Sequence, residues 1–202
     1  MNYDSIKAYA SQYAVPIMRD QTADIIADFV KNNQPKHILE IGTAIGYSGI
    51  VMLNNSSADL ITIEHNKNYI KKAKQHFKEQ KCQDKVKILN GDCLVILSNL
   101  ANQIKYRNHF DLIFLDGPKA QYGNMLELLI ILLKDNGTLI VDDVLFHKHL
   151  NKDGKVSRRF KTIETRLNEF IDKCRMHPQI SNFELLEIED GIIFAKKGQN
   201  EK

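Results

Sequence analysis

Three aspartates stand where two apolar runs end. Asp116 follows Phe110-Asp111-Leu112-Ile113-Phe114-Leu115, and the pair Asp142-Asp143 follows Thr138-Leu139-Ile140-Val141. If the two runs are adjacent parallel strands, their ends lie roughly 4.8 Å apart, close enough for the carboxylates to share one cation. Hard oxygen donors select magnesium, with manganese or calcium as alternatives, and no His or Cys cluster offers zinc a site. Taken alone, Asp142-Asp143 is a polar turn; it is the convergence with Asp116 that points to a metal.

A second constellation lies earlier in the chain. Glu40-Ile41-Gly42-Thr43-Ala44-Ile45-Gly46-Tyr47-Ser48 is a glycine-containing bend between a strand and a helix, where backbone can approach a ligand closely. Its spacing is not the G-x-G-x-x-G of dinucleotide binding, and by itself it reads equally well as a structural turn. Glu64 closes the next apolar run, 24 positions after Glu40, where a carboxylate can accept both hydroxyls of a ribose. In Asn90-Gly91-Asp92-Cys93 the acid after the third run can hold an adenine amino group. Asp92 also suits the N-cap of a helix beginning at Leu94, and the two roles are compatible. His65 is placed to pack beside such an adenosine, whereas the other histidines lack ligand-like spacing.

The elements that must position these groups follow from periodicity. Helices are expected near Asp4 to Tyr13 and Asp20 to Asn32, ended by Pro35. Strands follow at His37–Ile41, Leu60–Ile63, Val86–Leu89, Phe110–Leu115 and Thr138–Val141, alternating with helical segments, so a doubly wound, mostly parallel α/β sheet is implied. After a helix near Arg158 to Met176, the tail Phe183–Ile188, a tight Asp190-Gly191 and Ile192–Ala195 reads as a β-hairpin, giving a seven-stranded sheet. One domain over 1–202 is expected, with a helical cap at 1–33 and the core at 34–198. The least regular stretch runs from Val144 to Ser157, and a loop that long usually has a function.

Bulk properties narrow the class. The 202 residues are 43% hydrophobic and 26% charged, as in a globular protein with a full core. Net charge is +3, with 28 basic against 25 acidic residues, too mild to imply a polyanionic partner. Cys82, Cys93 and Cys174 are far apart and form no C-x-x-C, which suits a reducing cytoplasm. The polar N-terminal residues and the lack of any apolar run of roughly 18 residues leave no expected signal or membrane span.

Together, Glu40-x-Gly42-x-x-x-Gly46-Tyr47-Ser48, the acidic end of the second strand and Gly91-Asp92 resemble class I S-adenosylmethionine methyltransferases with a Rossmann-like core. Val15-Pro16-Ile17-Met18, Ile41 through Ser48, Leu115-Asp116-Gly117-Pro118-Lys119-Ala120-Gln121-Tyr122 and Val141-Asp142-Asp143-Val144-Leu145 narrow the resemblance. They are similar to the metal-dependent catechol and caffeoyl-CoA O-methyltransferases and, among these, to bacterial tRNA 5-hydroxyuridine methyltransferases. The resemblance implies cofactor contacts at Met18, Glu40, Gly42, Ser48, Glu64, Asp92 and Asp116, of which Met18 rests on it wholly. It implies metal ligation by Asp116, Asp142 and Asp143, although the family usually has Asn at the position of Asp143. It also implies that Lys119 is the general base; a neighbouring divalent cation and partial burial would shift a lysine in the needed direction. A magnesium ion would then chelate two vicinal substrate oxygens while Lys119 takes the hydroxyl proton.

Catechol and 5-hydroxyuridine both offer adjacent oxygens, so the metal site does not identify the substrate. Residues 147–161 carry six Lys/Arg and one Asp; Lys152, Lys155, Arg158 and Arg159, with Arg19 near the entrance, are candidate RNA contacts. The same run also reads as a solvated loop and helix start. Residues 67–87 hold eight lysines at mainly helical spacing and read as an exposed face, with nucleic-acid contact the lesser reading. No aromatic signature of a separate RNA-binding module is present. The resemblance therefore carries the expected function: methylation of wobble 5-hydroxyuridine in tRNA to 5-methoxyuridine. A small-molecule catechol-type enzyme is the alternative, and a noncatalytic S-adenosylmethionine-binding module or a nicotinamide oxidoreductase fits less well. A homodimer is expected from the family.

Overall fold

The structure is a computed structural model in which residues 3–145 and 161–199 are described. The chain divides into two compact units, Met1–Ile96 and Leu97–Lys202.

In the first unit, helices α1 (Asp4–Gln12) and α2 (Asp20–Asn33) precede strand β1 (His37–Ile41). The buried stripe of α2 is Thr22, Ala23, Ile26 and Val30, the i, i+3, i+4 spacing of a helix with one face toward a core. Gln34 ends α2 in a left-handed conformation, and its amide donates to the carbonyls of Lys31 and Asn55. In β1, Ile38, Leu39, Glu40 and Ile41 are all buried, as in a parallel strand covered on both faces. Helix α3 (Tyr47–Asn54), β2 (Asp59–Glu64), α4 (Lys67–Glu79) and β3 (Val86–Asn90) follow. β1 pairs in parallel with β2, Ile38 opposite Leu60, and β2 with β3, Leu60 opposite Val86. A side chain at Gly49 would strike Leu60 at 2.8 Å and Phe77 at 3.3 Å, so α3 lies close against β2 and α4 because that residue is glycine.

Helix α5 (Cys93–Ala101) leads to the second unit, with β4 (Phe110–Leu115), α6 (Tyr122–Leu132), β5 (Leu133–Asp142), α7 (Lys161–Arg175), β6 (Ile180–Leu186) and β7 (Ile192–Lys197). β5 pairs in parallel with β4 and antiparallel with β7, which pairs antiparallel with β6. The strand order is β3-β2-β1 in the first unit and β4-β5-β7-β6 in the second, the two halves of a doubly wound order extended by the C-terminal pair.

Two boundaries differ from the sequence reading. β5 starts at Leu133, five residues before the apolar run, because Leu133 pairs with Phe110 of β4; Asn136 takes a left-handed φ of 64° in the stretch where the register shifts between Phe110 and Leu112. The C-terminal pair is not joined by a tight Asp190-Gly191. Its connection is residues 187–191, closed by the Gly191 amide on the Ile188 carbonyl, while the Asp190 and Gly191 carbonyls accept from the amides of Leu145 and Val144. That second duty holds the turn open and toward the end of β5.

Lys197 is buried at the end of β7, and its ammonium donates to the carbonyls of Ile130 (2.9 Å) and Leu133 (2.8 Å), with Asp135 at 3.6 Å. It thus serves carbonyls that the C-terminal turn of α6 leaves without helical partners. Lys197→Met should lower unfolding free energy by about 2–3 kcal/mol, as expected for losing charge-assisted bonds to buried carbonyls, measured by urea denaturation.

Candidate functional site

The first unit builds a rigid turn after β1. Gly42, Ala44 and Gly46 all have positive φ (104°, 43° and 87°), and the amides of Gly42 and Thr43 donate to the Ile63 carbonyl of β2. Glu40 has 0% exposure, and one carboxylate oxygen accepts from the Ser48 hydroxyl, the other from the Thr62 hydroxyl, both at 2.5 Å. Thr62 in turn contacts the Thr43 hydroxyl at 2.6 Å. Glu64, buried at the end of β2, accepts from the Ala44 amide at 3.0 Å through one oxygen and from the amides of His65 (2.9 Å) and Asn66 (2.8 Å) through the other. The structure therefore gathers Glu40, Gly42, Ser48 and Glu64 around one bend.

The other expected cofactor residues of this unit are more varied. Met18 is buried just before α2, where Arg19 is the exposed N-cap residue. Asp92 is exposed, and its carboxylate accepts from the Val95 amide at 3.1 Å, so the capping role foreseen for it is realised. The His65 side chain is 84% exposed, with Nδ1 3.3 Å from Glu64. A residue without an expected role, His76 of α4, supports the bend: its buried ring places Nδ1 2.8 Å from the Ile45 carbonyl, and Tyr9 of α1 meets it edge-on at 5.9 Å. A carbonyl only accepts, so Nδ1 carries the proton. Burial lowers the pKa of this imidazole, keeping it neutral.

In the second unit, Asp116 follows β4, Lys119 opens the 3-10 turn Lys119–Gln121, and Asp142 ends β5. The Lys119 ammonium lies 2.7 Å from the Asp143 carboxylate, their side chains 24% and 21% exposed. Asp142 is buried and accepts from the Asp143 amide at 2.8 Å. Burial, then the neighbouring carboxylates of Asp116 and Asp143, push its pKa up to about 8. Asp143 has a φ of 62°, a conformation in which Asp and Asn are the readiest residues after glycine. This accounts for the choice between these two residues at this position.

Tyr122, at the start of α6, has a fully buried side chain. Burial raises its pKa well above the usual phenol value, and the charges of Asp116, Asp142 and Asp143 add to the effect. It stood in the sequence string that carried the resemblance, yet nothing in its spacing marked it as part of this group. Among the described residues, no three His, Cys, Asp or Glu side chains are gathered as a ready-made metal cage. Asp143 is engaged by Lys119, and the expected triad is a group of mutually repelling acids. As a donor set it still fits a hard cation: all donors are oxygens, and their repulsion is of the kind a divalent ion relieves. Lys152, Lys155, Arg158 and Arg159 lie outside the described residues.

A doubly wound sheet with an antiparallel C-terminal pair, a glycine bend after β1 and acids at the ends of β2, β4 and β5 define a Rossmann-like methyltransferase fold. The chain belongs to the O-methyltransferase family, whose model matches residues 4–198. A catechol O-methyltransferase of Niastella koreensis is 30% identical over 125 residues, 61% of this chain and 53% of that protein. The match thus spans about half the length of that relative. A Staphylococcus aureus protein provisionally named as a caffeoyl-CoA O-methyltransferase superimposes with a TM-score of 0.85 at 30% identity, covering 98% of this chain and 93% of its own. The Bacillus cereus O-methyltransferase in complex with SAH shares the fold, with a TM-score of 0.81 at 20% identity over 96% of this chain and 89% of its own. No described helix is long and apolar enough to cross a membrane.

The acid group yields a stability prediction. Asp142 ionises near pH 4 in an unfolded chain and about 8 when folded, so between these values the folded state holds the extra proton and stability falls as pH rises. Asp142→Asn removes that penalty. In metal-free protein the variant should unfold at a higher temperature than the parent at pH 8, with the gap shrinking toward pH 5. Equal gaps in calorimetric scans at the two pH values would refute this account of Asp142.

Proposed function

We propose that the chain is an S-adenosylmethionine- and magnesium-dependent O-methyltransferase whose substrate is wobble 5-hydroxyuridine in tRNA, giving 5-methoxyuridine. The observation that carries the reaction type is the second-unit group, in which Lys119 sits against Asp143 while Asp142 is raised to about 8 by burial and its acidic neighbours. A cation held by these acids would offset their pull on the lysine beside them, which suits Lys119 to abstraction of a hydroxyl proton there.

When bound, S-adenosylmethionine supplies an electrophilic methyl group on sulfonium sulfur. Glu64, held by three backbone amides, has lone pairs left to accept from ribose hydroxyls. Asp92 would accept from the adenine amino group, and His65 would flank the base. Glu40 and Ser48 act from below, by holding the Gly42–Gly46 bend open to the ligand. Met18 packs against the cofactor, and Asp116 serves it as well as the metal.

Asp116, Asp142 and Asp143 would hold the divalent cation, magnesium by preference and manganese or calcium as substitutes. When bound, that cation supplies positive charge beside the substrate oxygen as it loses its proton. Nζ of Lys119 takes the hydroxyl proton, and the Asp143 carboxylate, 2.7 Å away, pairs with the ammonium so formed. The oxygen–methyl bond forms as the sulfur–methyl bond breaks, and no covalent bond to the protein is required.

A small catechol-like substrate is the second reading, favoured by the name of the 30% identical Niastella koreensis relative. The two readings separate in one assay. Purified protein is incubated with labelled cofactor, magnesium and tRNA carrying 5-hydroxyuridine, in parallel with free catechol, and nucleosides are analysed by mass spectrometry. The expected result is 5-methoxyuridine, abolished by chelator, and a fall in kcat of about 100-fold or more for Lys119→Ala. Rapid catechol methylation with no RNA product would replace the tRNA reading by the small-molecule one. Binding of cofactor without transfer to either substrate would leave a noncatalytic module.

A further inference from the structure

The outer face of α4 carries a feature that the methyl-transfer chemistry does not use. Lys67, Lys71, Lys74 and Lys78 are all exposed, and at 100° per residue they fall within about 60° of arc, one line along the helix. The line spans about 16 Å at 1.5 Å per residue. The opposite side of α4 is the buried stripe Ile70, Ala73, His76 and Phe77.

The arrangement costs the helix stability. Lys67 and Lys71, and Lys74 and Lys78, are like charges at i, i+4, and Lys71 and Lys74 at i, i+3, spacings at which a solvated helix gains from opposite charges instead. Lys67 also stands in the first turn, where the helix dipole disfavours a cation and no acidic residue compensates. The one acid of α4, Glu79, lies away from the line around the helix and accepts from Gln75 at 2.7 Å. Among the described residues no carboxylate pairs with any of the four lysines. Residues 67–87 carry eight lysines against Glu79 and Asp84, a net +6 in a chain whose total is +3, so the rest of the chain is net −3. Basic charge is therefore concentrated here, not spread evenly.

We propose that this lysine line is a docking surface for the phosphodiester backbone of RNA. Its linear form matches a row of phosphates, which recur at roughly 3.4 Å of axis per strand in a duplex. The line itself includes no aromatic side chain on which a base could stack, so the contact is to backbone and independent of sequence. It also includes no apolar side chain, which argues against insertion into a membrane surface. The inference extends the reading of an RNA substrate, assigning to α4 a grip on the body of that molecule.

The test is fluorescence anisotropy of end-labelled tRNA titrated with the full-length chain between about 50 and 200 mM salt. The triple variant Lys71→Glu/Lys74→Glu/Lys78→Glu should bind at least about tenfold more weakly, and its log–log salt slope should be smaller by about 2–3. The corresponding triple Gln variant should fall between it and the parent. Calorimetric binding of S-adenosylmethionine should be unchanged in both variants, and the thermal midpoint of the Gln variant equal or higher, because repulsion among these lysines has been removed. Unchanged tRNA affinity and slope would overturn the inference. So would loss of binding to phosphatidylserine–phosphatidylcholine vesicles with tRNA binding intact. If the lysines govern tRNA binding but no methyl group reaches the RNA, the docking surface stands and the substrate reading falls. If tRNA is methylated with an unchanged KM in the Glu variant, the substrate reading stands and the docking surface falls.

Discussion

A carboxylate removed from water must find donors inside the protein, and Glu40 meets this demand with two hydroxyls. Ser48 from the start of α3 and Thr62 from the neighbouring strand converge on it, and Thr62 extends the contact to Thr43 in the bend. Bonds to an ionised acceptor are among the stronger kind, while an acid left buried and unmatched costs several kcal/mol, roughly the margin on which domains survive. β1, β2, the bend and the first turn of α3 are thereby tied to one charge. The shape of the bend then decides what can pack on it: Ile45 presents its carbonyl to His76, and a side chain at Gly46 would come within 3.1 Å of Phe77.

The two units treat their acids in opposite ways. In the first, Glu40 and Glu64 are both buried and both held by neutral donors, hydroxyls for one and backbone amides for the other. In the second, Asp142 is buried with the Asp143 amide at its oxygen and two further acids in range, and its proton is correspondingly hard to remove. Neutral satisfaction builds a rigid cradle. Accumulated like charge stores an attraction for whatever cation arrives, which is why perturbed acids gather where chemistry is done.

The sequence displayed the parts of this design that depend on periodicity or on local spacing. The apolar run at Ile38 to Ile41 could only be a strand covered on both sides, and the alternation after it led to the doubly wound sheet. Glu64 was legible because it ended a strand at a telling distance from Glu40. What stayed hidden depends on contacts distant in the chain or on backbone geometry. His76 meets a carbonyl 31 positions earlier, and Lys197 reaches carbonyls 64 and 67 positions away. The extra residues of β5 lay outside the expected strand at Thr138–Val141; Lys134-Asp135-Asn136-Gly137 has turn chemistry, and pairing with β4 overrides it. Tyr122 stood in the string that carried the resemblance, but nothing in its spacing revealed that Asp116, Asp142 and Asp143 surround it.

Asp143 shows how a chain can keep a shape fixed while leaving its charge adjustable. The left-handed backbone there narrows the choice essentially to Asn, Asp and glycine, and the first two are nearly the same size. Exchange between them therefore leaves the path of the chain alone and alters a full unit of charge beside Lys119. Such a position is a tuning point: changing one heavy atom resets the electrostatics beside Lys119 without rebuilding the strand end that carries it.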